Sequence, residues 1–290
     1  MFFMTELKSP PPQEIASLLK YYENSDFANA INLATMITDK FPSNQIAWKV
    51  LGAALALSGQ LEDALMANQK LVMVNPGDVQ SHLNLGSTYK ELNRLPEAEM
   101  SYRQAIDIES SNALAHYNLG NVLKYKGSLT EAIASFRKAI AFKPDFAQAY
   151  CNLGSTLQAA KQPEEAELSL RQAIKLQPNY ALAHNNLGIT LRSLNRLEEA
   201  EESYCRAIYL KDDLTQAHHN LGIVLTELEK LDRAEDSYRK ALALDPEYRA
   251  ARSKLASLLM KMGRHRQGLT ERKLADGVVS FDLAIGVSLY

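Results

Sequence analysis

The chain has 290 residues, is 46% hydrophobic and 23% charged, and carries a formal net charge of −2. So even a balance gives no general attraction to nucleic acid or to an anionic membrane, and no apolar run approaches the roughly 18 residues of a membrane span. Cys151 and Cys205 are the only cysteines. They have neither bridge nor metal-ligand spacing and fit a reducing, cytoplasmic compartment.

Residues 1–10 read as an N-terminal tail. Met1-Phe2-Phe3-Met4 runs directly into Thr5-Glu6, too short for a signal-peptide core. From residue 11 the chain repeats. Asn-Leu-Gly begins at Asn84, Asn118, Asn152, Asn186 and Asn220, each step being 34 residues. A period of that length marks a helix-turn-helix unit copied along the chain, and it overrides the two-domain prior that length alone would give. Pro42, Pro76, Pro144, Pro178 and Pro246 keep the same beat. The units are 11–44, 45–78, 79–112, 113–146, 147–180, 181–214 and 215–248. The first is degenerate, with Ser17-Leu18 where Leu-Gly is expected. Terminal units deviate because one of their faces meets water and not a neighbour.

Positions 1 to 34 are numbered within each unit. In the first helix, position 4 holds Trp48, His82, His116, Tyr150, His184 and His218, position 7 is Leu, position 8 is Gly, and position 11 is Leu or Tyr89. At about 100° per residue these form one apolar stripe. Position 15 holds Gly59, Asn93, Gly127 and Asn195, residues that tolerate the left-handed conformation closing a helix. Acids at position 19 (Asp63, Glu97, Glu131, Glu165, Glu199) suit the first turn of a second helix. That helix carries Ala at position 20 throughout and aromatics at position 24, namely Tyr102, Phe136, Tyr204 and Tyr238. Small residues at 8 and 20 predict a close approach of two helix backbones. Proline at position 32 stops the second helix.

Beyond 248, residues 249–276 are expected to form capping helices. They hold eight Lys/Arg against Glu271 and Asp276, read as a solvated cap, with a docking patch for an acidic partner as the alternative. Residues 277–290 are apolar and strand-like. They are expected either to dock on the last repeat or to open a further domain.

These residues resemble the tetratricopeptide repeat (TPR) motif over roughly 11–263. The resemblance implies an all-α, right-handed α-solenoid, a superhelix of tandem 34-residue units whose first helices line a concave groove.

No catalytic constellation, cofactor motif or metal site emerges. His82, His116, His184 and His218 all occupy a packing slot. Successive first helices lie about 8–10 Å apart, whereas zinc needs ligand atoms at about 2.0–2.1 Å. No phosphate-binding Gly loop, HExxH or Ser-His-Asp arrangement is present. The chain therefore reads as a non-enzyme.

Positions 2, 6, 9 and 13 lie opposite the packing stripe. Position 6 is Asn84, Asn118, Asn152, Asn186 and Asn220. A primary amide has two donors and an acceptor with two lone pairs, so it can pair with a peptide N–H and C=O together. One repeat step of about 10 Å spans roughly three residues of extended peptide. Asn121 and Tyr125 lie alongside, and Lys90, Lys124 and Arg192, at position 12, flank the row. The row resembles the asparagine ladder in the TPR region of the O-linked N-acetylglucosamine transferases. That resemblance implies a grip on peptide backbone; the plain alternative is that these amides bond within the helix layer. The chaperone-tail type of clamp does not fit, since Lys49 is followed by Ala53 and Lys254 is preceded by Ile189 and Ala250. The expected function is a protein-interaction scaffold binding an extended peptide in the groove, without nucleic-acid or membrane partners. The alternative is a substrate-recruiting arm of a glycosyl-, sulfo- or oxygenase-type enzyme whose catalytic domain is absent from this chain.

Overall fold

The computed structural model describes residues 9–276 and, beyond them, the backbone of Phe281–Asp282 and Gly286–Val287. Among the described residues sixteen α-helices follow one another in pairs. The pairs are α1 (Pro12–Glu23) with α2 (Phe27–Lys40), α3 (Gln45–Leu57) with α4 (Leu61–Val74), α5 (Val79–Glu91) with α6 (Leu95–Ile108), and α7 (Ala113–Tyr125) with α8 (Leu129–Phe142). They continue with α9 (Ala147–Ala159) and α10 (Pro163–Leu176), α11 (Ala181–Ser193) and α12 (Leu197–Leu210), α13 (Thr215–Glu227) and α14 (Leu231–Leu244), and α15 (Arg249–Lys261) and α16 (His265–Asp276). Two short strands, β1 (Phe281–Asp282) and β2 (Gly286–Val287), pair antiparallel with Phe281 opposite Val287. The remainder of the expected apolar tail, and residues 1–8, lie outside the described residues. No helix among them is long and apolar enough to cross a membrane.

Helices of twelve to fourteen residues are marginal alone in water, so burial between neighbours must hold them. Each pair is closed by a three-residue turn whose middle residue is left-handed: Ser25, Gly59, Asn93, Gly127, Lys161, Asn195, Glu229 and Gly263 all have positive φ. The next N–H then bonds back to the first helix, as Gln60 N donates to Leu55 O at 2.9 Å and Gln162 N to Leu157 O at 2.9 Å. Lys161 and Glu229 take this conformation without the residue type that favours it.

The chain divides into two compact units, Met1–Pro144 and Asp145–Tyr290. Within the first, each second helix packs on the next first helix and consecutive first helices touch. Leu18, Ile37, Val50, Leu51 and Leu55 belong to its buried cluster. The second unit repeats the scheme around Leu170, Leu187, Tyr204, Val224, Tyr238 and Leu258. A core shared between neighbours and spread along the chain is what a repeat array requires.

The glycines at position 8 correct one expectation. What approaches them is mainly a ring and not a backbone. A Cβ on Gly86 would lie 2.7 Å from the Tyr102 ring, on Gly120 2.7 Å from Phe136, on Gly188 2.7 Å from Tyr204, and on Gly222 2.6 Å from Tyr238. In these four pairs position 24 thus seats its ring against position 8. Gly154 does meet backbone, with Ala166 O at 3.1 Å, beside Leu170.

The position 4 side chains have a second task besides packing. His82 Nε2 lies 2.9 Å from Pro76 O, His116 Nε2 3.0 Å from Ser110 O, His184 Nε2 3.0 Å from Pro178 O and His218 Nε2 2.9 Å from Asp212 O. Trp48 Nε1 donates to Pro42 O at 2.8 Å, and Arg252 reaches Pro246 O at 2.6 Å. Each ring satisfies a carbonyl in the turn that enters its own repeat, a group that would otherwise be left unpaired at the helix end.

Candidate functional site

The candidate site is the face of the first helices that carries position 6. Asn84 on α5 and Asn118 on α7 belong to the first unit; Asn152, Asn186 and Asn220, on α9, α11 and α13, belong to the second. All five are half-buried. Each is flanked by deeply buried neighbours: Leu85 beside Asn84, Leu119 beside Asn118, Leu187 beside Asn186. Those neighbours fix the rotation of the helix and hence the direction of the amide.

Asn84, Asn186 and Asn220 make side-chain hydrogen bonds that are long or local. Asn186 Nδ2 points to Cys151 Sγ at 3.5 Å and Asn220 Nδ2 to Asn185 Oδ1 at 3.4 Å, both reaching position 5 of the preceding repeat. Asn185 Nδ2 in turn lies 3.4 Å from Asn186 Oδ1. Asn84 Oδ1 accepts from Gln80 Nε2 at 2.7 Å. The 3.4 Å contacts are at the weak end for N–H···O bonds and a thiol is a weak acceptor, so Asn186 and Asn220 are loosely engaged. Backbone carbonyls of the row are tied more firmly: Thr88, Thr156 and Thr190 donate to Asn84 O, Asn152 O and Asn186 O at 3.0, 2.6 and 3.0 Å.

Of the flanking residues, Tyr125 is 75% exposed, while Asn121 and Lys124 are half-buried. Lys90 pairs with Glu91 at 3.1 Å. Arg192 forks onto Glu227 of the next repeat, Nε at 3.0 Å from both carboxylate oxygens and Nη2 at 2.5 Å from one. Its charge is thereby committed to joining α11 and α13, and its pKa rises through that hydrogen bond against the opposing effect of burial.

Sequence reasoning missed two groups. The first is a set of glutamates at position 21 of the second helices. Glu99 accepts from Arg103 (2.7 Å) and Lys126 (2.6 Å), Glu167 from Arg171 (2.8 Å) and Arg196 (2.6 Å), and Glu201 from Arg233 (2.7 Å) and Lys230 (2.6 Å). Glu235 is held by Arg239 at 2.9 Å and by Arg264. Their carboxylates are only 12–17% exposed. Burial pushes each pKa up, yet the cation hydrogen bonds and charges together outweigh it and hold all four below the usual value. The signal was present as Glu followed four residues later by Arg at 99/103, 167/171 and 235/239. The second group is the pair of buried side chains with an unpartnered atom, Asn68 and His219. Burial lowers the His219 pKa, and Lys254 and Arg192 add to the effect.

Among the described residues no group of three or more His, Cys, Asp or Glu side chains is placed to hold a metal ion. The four position 4 histidines each spend Nε2 on a carbonyl, as described above.

Comparison with known proteins agrees with the helix pairing. Family models described as TPR or tetratricopeptide repeat match residues 19–78, 86–127, 120–161, 145–212 and 215–248. No curated protein matches the chain. Among solved structures the chain is similar to YrrB, described as a TPR protein with an unusual peptide-binding site, at 26% identity and a TM-score of 0.53, covering 64% of this chain and 95% of that one. It is also similar to the Cut9–Hcn1 hetero-tetramer of APC/C (18% identity, TM-score 0.65, 90% of this chain and 52% of that one). A third likeness is to PilF of Pseudomonas aeruginosa (19% identity, TM-score 0.65, 73% of this chain and 97% of that one). The last two likenesses carry the fold alone. With these matches spread over most of its length, the chain belongs to the tetratricopeptide repeat family.

Proposed function

We propose that the chain is a protein-interaction scaffold whose first-helix face binds an extended polypeptide segment. The observation that carries this reading is the row of position 6 asparagines. Each is half-buried and held in direction by its leucine neighbour, and those on α11 and α13 make weak bonds within the layer. An amide so placed can exchange a weak contact for a full pair with a peptide N–H and C=O. The peptide-binding site described for YrrB supports the reading, as does the likeness of the row to the asparagine ladder of the O-linked N-acetylglucosamine transferases.

The test uses the intact chain. Extended peptides are selected on it by display, and their affinity is then measured against a triple Asn152→Ala, Asn186→Ala, Asn220→Ala variant. Each lost hydrogen bond is expected to cost about 0.5–1.5 kcal/mol of binding. The melting temperature should stay near that of the parent, because the bonds that Asn186 and Asn220 give up are weak. Unchanged affinity would end the ladder's role. A large melting loss would assign the amides to holding the helix layer together.

A further inference from the structure

In the first unit, the pair α3/α4 departs at one point from the two pairs that follow it. Position 24 is Asn68, where Tyr102 and Phe136 stand in the pairs that follow. In those pairs a ring lies against the position 8 glycine. The ring of Tyr102 reaches toward the groove face, where its hydroxyl comes close to Ser87 at position 9. In α3/α4 the side chain is short and the groove-face residues at positions 9 and 12 are Ala53 and Ala56. The outer part of the ring slot is therefore open. It forms a cleft of about 420 Å³ lined by Tyr22, Ala53, Ala56, Leu57, Leu61 and Asn68 among others.

Asn68 leaves an unmet need at this cleft. It is 2% exposed. Its Nδ2 donates to Thr88 Oγ1 at 2.9 Å, and that hydroxyl donates in turn to Asn84 O at 3.0 Å. Because the Thr88 proton is committed, Oγ1 can only accept from Asn68, and the amide orientation is fixed. Asn68 Oδ1 is thus turned against Gly52, which also lines the cleft, and has no hydrogen-bond partner. A buried acceptor without a donor is costly. The complement is an apolar body carrying an N–H or O–H. The cleft lining includes no cation, and Glu91 is its only charged member, so the complement is not an anion.

We propose that this cleft is a specificity pocket for a tyrosine or tryptophan side chain of the bound segment, which supplies from outside the ring that the next two repeats supply from within. The source of the ring rests on the groove-binding function above; the chemistry of the pocket rests on Asn68 alone.

Two experiments on the full chain test it. In the first, 4-methylphenol, indole and toluene are titrated while the Gly52 amide and the Asn68 side-chain amide are followed by NMR. The first two probes should shift both signals saturably, and toluene should bind about fivefold more weakly for want of a donor. Asn68→Tyr, which refills the slot, should abolish these shifts. Asn68→Leu should remove the preference over toluene. Absence of shifts at Gly52 and Asn68, equal binding of toluene, or binding that survives Asn68→Tyr overturns the proposal. In the second, peptides selected on the parent chain are made with their Tyr or Trp replaced by Leu. Binding should weaken about tenfold to the parent and be unchanged to Asn68→Tyr. Selected peptides without a required Tyr or Trp would overturn the pocket while leaving the scaffold function standing. A groove that binds no peptide while 4-methylphenol still seats at Asn68 would overturn the scaffold and the peptide source of the ring.

Discussion

Lys161 and Glu229 hold φ at +58°, a region that costs residues with a Cβ about 1–2 kcal/mol relative to glycine. Nothing in either side chain explains the choice. Lys161 is exposed, and Glu229 makes one surface pair, with Lys261 at 2.7 Å. The conformation is imposed from both sides by helices that must turn back on each other. This is why Gly59, Asn93, Gly127 and Asn195 were legible as turn residues and these two were not: packing overrides local preference there. Lys161→Gly is accordingly expected to stabilise the chain by about 0.5–1 kcal/mol in denaturant unfolding, and Asn195→Gly by less, since asparagine already tolerates the region. The opposite sign is expected at Gly188. A leucine there must displace the Tyr204 ring, whose nearest atom would lie 2.7 Å from the first added carbon, at a cost of about 1–3 kcal/mol. Because each repeat touches only its neighbours, hydrogen exchange should rise in α11, α12 and the adjacent helices. An even rise along the chain would contradict that locality.

At the scale of the helix, the two units begin their first helices differently. Asn44, Asp78 and Asn112 cap α3, α5 and α7, accepting from Ala47 N, Ser81 N and Ala115 N at 2.8–2.9 Å. The same position before α9, α11, α13 and α15 holds Phe146, Tyr180, Leu214 and Tyr248, none of which caps with its side chain. These residues are half-buried; Tyr180 packs on the core of the second unit and Tyr248 stacks edge-on against His219 at 5.1 Å. Hydrophobic contact thus replaces a hydrogen bond as the device that fixes where the helix starts. Asp78→Ala should cost about 0.5–2 kcal/mol and fray the first turn of α5. Tyr180→Asn should restore a cap to α11 yet still lose stability on thermal unfolding, because burying an aromatic side chain contributes more than one cap. The helices themselves were legible from their 34-residue period. Which force opens each one was not, since the same slot carries either kind of residue.

Over the whole chain, the glutamates at position 21 distribute pH sensitivity unevenly. Position 21 is Ile31, Leu65, Glu99 and Ile133 in the first unit and Glu167, Glu201 and Glu235 in the second. Glu99, Glu167 and Glu235 each link an arginine on their own helix to a basic residue that precedes the next second helix, and Glu201 takes both its partners, Lys230 and Arg233, from the start of α14, so each pins neighbouring repeats together. The sequence did not single them out, because position 21 is apolar in three of the seven units and the pin appears only when two repeats are stacked. Their pKa values lie below the usual 4.5, since the cation hydrogen bonds and charges outweigh burial. A carboxyl whose folded pKa is depressed contributes stability that is present above the unfolded value and is lost as pH falls through the folded one. Three such groups in residues 145–276 against one in residues 9–144 set the order of acid unfolding. On acidification below 4.5, exchange protection corrected for intrinsic rates should be lost from 145–276 before it is lost from 9–144. Glu167→Gln, Glu201→Gln and Glu235→Gln combined should destabilise the second unit at neutral pH and flatten its acid response, because the groups that titrate are gone. If both units lose protection together in the parent, or if the triple variant keeps the parent's acid profile, the pins do not govern the response to pH.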